Sequence, residues 1–94
     1  MEEGPTRIRL PKGNELIGIV ESMLGSGRVR VICSDGNIRI GRIPGKLKSR
    51  IWMHVGDAII VKPWETQSNE RCDVVWVYRR NEKYWLERRG YLKF

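Results

Sequence analysis

The sequence predicts an all-β domain, a five-stranded barrel with a short C-terminal helix. Three observations carry this reading. From Glu15 onward, β-type runs alternate with turn signals at roughly regular spacing. Asp35-Gly36 is a strong hairpin signal between two such runs. Helix formers gather only after residue 80, in "NEKYWLERRG".

In chain order, residues 1–13, "MEEGPTRIRLPKG", are charged and broken by Pro and Gly. They are expected to form a flexible segment, and resemble neither a signal peptide nor a transit helix. The barrel is expected over 14–80. "ELIGIVESML" is its first run, turned by Gly25-Ser26-Gly27, and "RVRVICS" and "NIRIG" flank Asp35-Gly36. "DAIIVKPW" and "CDVVWVY" follow, separated by the polar stretch "ETQSNER". Residues 81–94 are expected to pack on the barrel as a helix and tail. Asn81 serves there as N-cap, Gly90 as the C-terminal stop, and Tyr84, Trp85 and Arg88 share one face. Trp64, Trp76 and Trp85 read as packing residues.

A two-residue loop at Asp35-Gly36 fixes a register. Ser34 then faces Asn37, Cys33 meets Ile38, Val31 meets Ile40 and Ile32 meets Arg39. Alternation puts Arg28, Arg30 and Arg39 together on the outer face. Arg42 would fall opposite Val29 on the inner face, so pairing is expected to end near Gly41.

Ninety-four residues make one domain with a single modest core. No run of apolar residues reaches the roughly 18–20 of a membrane span. Cys33, Cys72 and the lone His54 fall short of a zinc ligand set, so no metal is expected. The two cysteines read as reduced core residues of an intracellular protein. No nucleophile–base arrangement or carboxylate cluster suggests an enzyme, and no cofactor is implied. Gly25-Ser26-Gly27 lacks the Lys-Ser/Thr ending of a phosphate-binding loop and precedes a strand.

The net charge of +7 is unevenly spread. Residues 22–56 hold seven cations against one acid, Asp35. Like charges on one sheet face repel one another, and a merely soluble face mixes signs. Arg28, Arg30 and Arg39, with Arg42, Lys46, Lys48 and Arg50 following, therefore read as a surface awaiting phosphates. The strand 2–3 face of an OB-type barrel commonly serves this purpose. Trp52 sits among the cations, equally suited to stacking on an unpaired base or packing in the fold.

The run from Glu15 to Glu65 resembles the core of translation initiation factor 1A, an S1-like OB-fold family. "MLGSGRVRV", "DGNIRIGRIPGKLKSRIW" and "GDAIIVKPW" are its most specific pieces. The likeness extends to Trp76 and, through the helix, to Gly90 and Tyr91. The resemblance implies a cytoplasmic monomer in the decoding region (A site) of the small ribosomal subunit. It would contact ribosomal RNA and act alongside other initiation factors to assist initiator tRNA binding and start-site selection. RNA contacts carried over by position are Arg30, Arg39, Arg42, Lys46, Lys48, Arg50 and Trp52. The short N-terminal segment and the lack of a long acidic tail after the helix fit a compact archaeal-type member. Two other readings remain: a general single-strand nucleic-acid chaperone of cold-shock type, and a protein-interaction module meeting an acidic partner.

Overall fold

A computed structural model describes residues 7–48 and 53–94. Its strands are β1 (Leu16–Gly25), β2 (Arg28–Cys33), β3 (Ile38–Arg42), β4 (Ala58–Pro63) and β5 (Arg71–Val77). They close into a barrel in the order β1-β2-β3-β5-β4, with β4 returning to β1. All pairings are antiparallel except β3 with β5, which is parallel. This is the expected OB-type barrel. A single helical turn, α1 (Gly45–Lys48), follows β3, and α2 (Arg80–Arg88) follows β5.

Strand alternation builds two apolar layers. Inward-facing Val20, Val29, Val31, Cys33, Ile59, Val61, Cys72 and Val74 fill the barrel. Ile43, Leu47 and Met53 pack against that interior, so α1 docks on it through Leu47. Room inside is short where β1 crosses β2. A Cβ on Gly18 would lie 2.4 Å from Val31 Cγ1 and 3.1 Å from the Ile32 carbonyl oxygen. Both cysteines are free and buried, as expected. Burial pushes the Cys72 thiol up to about 12 and raises that of Cys33.

The second layer lies outside the barrel. Ile17, Ala58 and Ile60 face outward from β1 and β4, and Leu86 of α2 and Tyr78 complete a buried cluster with them. Ile8, Leu10, Trp76, Trp85 and Leu92 pack around it. The Tyr78 hydroxyl donates to the Arg9 carbonyl, holding the segment before β1 across this face.

Helix α2 departs from expectation at its start. Its N-cap is Arg79 rather than Asn81, because Glu82 reaches back to accept the Arg79 N–H at 2.7 Å. The stop at Gly90 holds. Gly90 adopts φ 84°, and the Gly90 and Tyr91 N–H groups donate to Glu87 and Leu86 carbonyls at 3.1 and 3.0 Å. The buried anchor is Leu86, whereas Tyr84 is exposed. Trp85 instead stacks on Tyr91, with ring centroids 6.0 Å apart.

The β2–β3 register is one residue away from the expected one. Cys33 N–H donates to Asn37 O and Gly36 N–H to Cys33 O, both at 2.9 Å, so the loop takes three residues, Ser34-Asp35-Gly36. Gly36 at φ 91° supplies the left-handed position of such a loop, and Asp35 Oδ1 accepts the Asn37 N–H at 3.1 Å. Val31 therefore meets Arg39, Ile32 meets Ile38, Arg30 meets Ile40 and Arg28 meets Arg42. A one-residue slip exchanges the faces of β3. Ile38, Ile40 and Arg42 point outward, while Arg39 and Gly41 point inward. Interior space explains the choice. A Cβ at Gly41 would already lie 3.3 Å from Cys72 Sγ and 3.4 Å from Val29 and Val74 methyls. In the expected register, Arg42 would have to fit at that level, opposite Val29.

Candidate nucleic-acid interface

In β2, alternation buries Val29 and Val31 and turns Arg28 and Arg30 to solvent. β3 adds Ile38, Ile40 and Arg42 to the same outer face, with Ile38 54% exposed. The parallel pairing then places Arg71 beside Ile40 and Asp73 beside Arg42. Trp64, just after β4, is tied across to β5 by its N–H on the Arg71 carbonyl at 3.1 Å. Ser26, Arg28, Ile40, Arg42, Trp64 and Arg71 line a shallow depression of about 170 Å³.

Three arginines thus surround one indole. Arg42 lies 5.4 Å over the Trp64 ring. Asp73 accepts from Arg42 Nε at 3.1 Å and from Trp64 Nε1 at 3.0 Å. The Arg42–Asp73 pair is well exposed, at 64% and 37% for the two side chains, so water screens it and a competing anion displaces it cheaply. Among the described residues, Arg28, Arg30 and Arg71 have no side-chain hydrogen bond or ion pair. Arg28 and Arg42 are moreover direct cross-strand partners, a like-charge pairing that Asp73 answers only on the Arg42 side. With Ile38 and Ile40 between the cations, the face offers guanidinium groups for phosphates and apolar surface for sugar or base edges.

Not every expected site residue lies here. Arg28 and Arg30 do, and Arg42 joins them from the outer rather than the inner face. Arg39 does not. It points into the barrel mouth and is only 2% exposed. There its Nη atoms donate to both Asp35 carboxylate oxygens at 2.9 and 2.8 Å, and its Nε donates to the Ser68 carbonyl. The Arg39 hydrogen bonds hold the Asp35 carboxyl well below the usual carboxylate range, and Asp35 raises the guanidinium in turn. Lys46 is exposed on α1. The Lys48 side chain, Arg50 and Trp52 lie outside the described residues.

Two residues of the depression escape the sequence reading, Arg71 and Trp64. Trp64 reads there as a packing residue, but its indole belongs to the open face. Arg71 enters through the β3–β5 pairing, which joins residues 31 apart, and Trp64 comes with it through its bonds to Arg71 and Asp73, so neither leaves a local trace in the sequence.

Comparison with known proteins identifies this scaffold. The family described as translation initiation factor 1A / IF-1 matches residues 6–94. The translation initiation factor 1A of Methanothermobacter thermautotrophicus is 56% identical over 87 residues, covering 93% of this chain and 88% of that protein. That of Methanococcus maripaludis is 55% identical over 92 residues, covering 96% and 89%. Among solved structures, translation initiation factor IF-1 from the Wolbachia endosymbiont of Brugia malayi aligns with TM-score 0.53 at 19% identity. The alignment covers 73% of this chain and 82% of that one, a likeness of fold. The sequence and the barrel agree: the chain belongs to the translation initiation factor 1A family, in a form similar to archaeal members.

Proposed function

We propose that the chain is an RNA-binding initiation factor of the cytoplasm that occupies the decoding (A-site) region of the small ribosomal subunit. There it assists initiator tRNA binding and start-site selection alongside other initiation factors. It acts by occupancy, with no bond made or broken. The observation that carries this reading is the open β2–β3–β5 face, where Arg28, Arg42 and Arg71 gather around Trp64, Arg30 shares the same face, and most of this charge is left unanswered. These residues would meet ribosomal RNA phosphates, with Lys46, Lys48, Arg50 and Trp52 extending the contact.

Chemical footprinting of small-subunit RNA with and without the protein tests the placement. Protection confined to the decoding region is expected, and protection elsewhere alone would refute it. Four neutralised phosphates would make log affinity fall against log salt with a slope of about −3. Comparable affinity for arbitrary single-stranded RNA would favour a chaperone of cold-shock type. The face itself argues against that alternative: among the described residues its one ring, Trp64, is held by Asp73 and Arg42 rather than standing in an open row of aromatics.

A further inference from the structure

Arg39 links two loops that have no strand pairing between them. Its Nη atoms hold Asp35 in the β2–β3 loop, and its Nε holds the Ser68 carbonyl in the 65–70 loop between β4 and β5. Asn37 Nδ2 reaches Asn69 Oδ1 at 3.5 Å beside it, and Ile40 N–H donates to Glu70 O at 2.8 Å. The 65–70 loop turns sharply at Gln67, whose φ is 56° and whose carbonyl accepts from Glu70 and Arg71 N–H. It is bounded by Trp64 and Arg71, the two residues that complete the depression.

We propose that Arg39 is a positioning residue for RNA binding: from inside the barrel mouth it holds the 65–70 loop, and through it Trp64 and Arg71, in the geometry that meets RNA. This rests on the RNA-binding reading of the open face. A side chain with 2% exposure and at least three of its five N–H groups engaged reaches no phosphate unless it leaves the barrel. Its influence therefore passes through the backbone it holds. Asp35 belongs to the same device, because it keeps the guanidinium turned toward Ser68.

Binding to isolated small ribosomal subunits across a salt series separates positioning from contact. Arg39→Met is expected to weaken binding about tenfold at every salt concentration with an unchanged salt slope. Arg28→Gln, as the control, makes the slope shallower by about 0.7. Asp35→Asn keeps the arginine and is expected to weaken binding as well. If Arg39 instead contacted phosphate, removing Asp35 would free it and tighten binding. Arg39→Met should also shift the Trp64 indole N–H and Arg71 amide NMR signals in the free protein. A shallower slope for Arg39→Met, tighter binding by Asp35→Asn, or unmoved Trp64 and Arg71 signals would each overturn the proposal. Should Arg39→Met fail to fold, Asp35→Asn carries both readouts. Wild-type protein that bound no subunits at any salt would defeat the RNA reading, whereas the free-protein signals judge the coupling independently.

Discussion

On β1 and β4 the outward positions are Ile17, Ile19, Ala58 and Ile60, and the chain folds its own ends over them through Leu86, Ile8, Leu10 and Leu92. On β2, β3 and β5 the outward positions include Arg28, Arg30, Ile38, Ile40, Arg42 and Arg71, and no described segment packs over them. Both faces arise from the same two-residue alternation. They differ in what burying them would cost. An apolar face gains about 25 cal/mol for each Å² covered. A helix laid over four guanidinium groups would strand charges away from water, at a cost of several kcal/mol per ion. The arginines therefore keep the second face open, and a partner that closed it would have to bring its own negative charge.

Substitutions on the covered face should cost stability and little else. Leu86→Ala removes a fully buried side chain and is expected to destabilise by about 3 kcal/mol in denaturant titration, with small-subunit affinity of the folded protein unchanged. An equal loss of affinity would mean that the two faces are not independent. A smaller effect comes from the interior both faces share. The Cys72 thiol titrates near 12 in the folded protein and near 9 when unfolded. The unfolded chain thus releases its proton first, so stability is full below about pH 9 and falls as pH rises toward 12. By pH 10 the loss is about 1–2 kcal/mol. Cys72→Ser should flatten that alkaline slope, and an unchanged slope would refute the assignment. Tyr78→Phe deletes the hydroxyl held by Arg9 and should cost about 1 kcal/mol, loosening the amides of residues 8–10 in hydrogen exchange. The smallest stability effect belongs to the open face. Arg71→Gln should move stability by less than about 0.5 kcal/mol while weakening subunit binding. A large loss of stability there would show Arg71 to be a structural residue.

Much of this contrast is legible in the sequence. The arginine–valine alternation of β2 places Arg28 and Arg30 correctly from residue types alone, and Gly90 marks the end of α2. The β2–β3 register is not legible, because Asp-Gly serves both two- and three-residue loops and local pattern does not separate them. What decides between them is volume at the barrel centre, where Gly41 fits between Cys72, Val29 and Val74. That constraint comes from β5, far along the chain. The same long-range contact hides Trp64 and Arg71. Arg39 reads as outward only because the two-residue loop sets it there. Its true place depends on a carboxylate four residues back and on a carbonyl in a distant loop.

The parallel seam between β3 and β5 has a consequence for how the molecule comes into being. Arg28 and Arg42 belong to the first half of the chain, while Arg71 arrives with the last strand. Pairings of such wide separation are slow to form, because the intervening chain must surrender its freedom before any contact rewards it. A half-folded chain therefore carries scattered arginines with no shared pocket, and the pocket proposed to meet RNA appears only together with barrel closure.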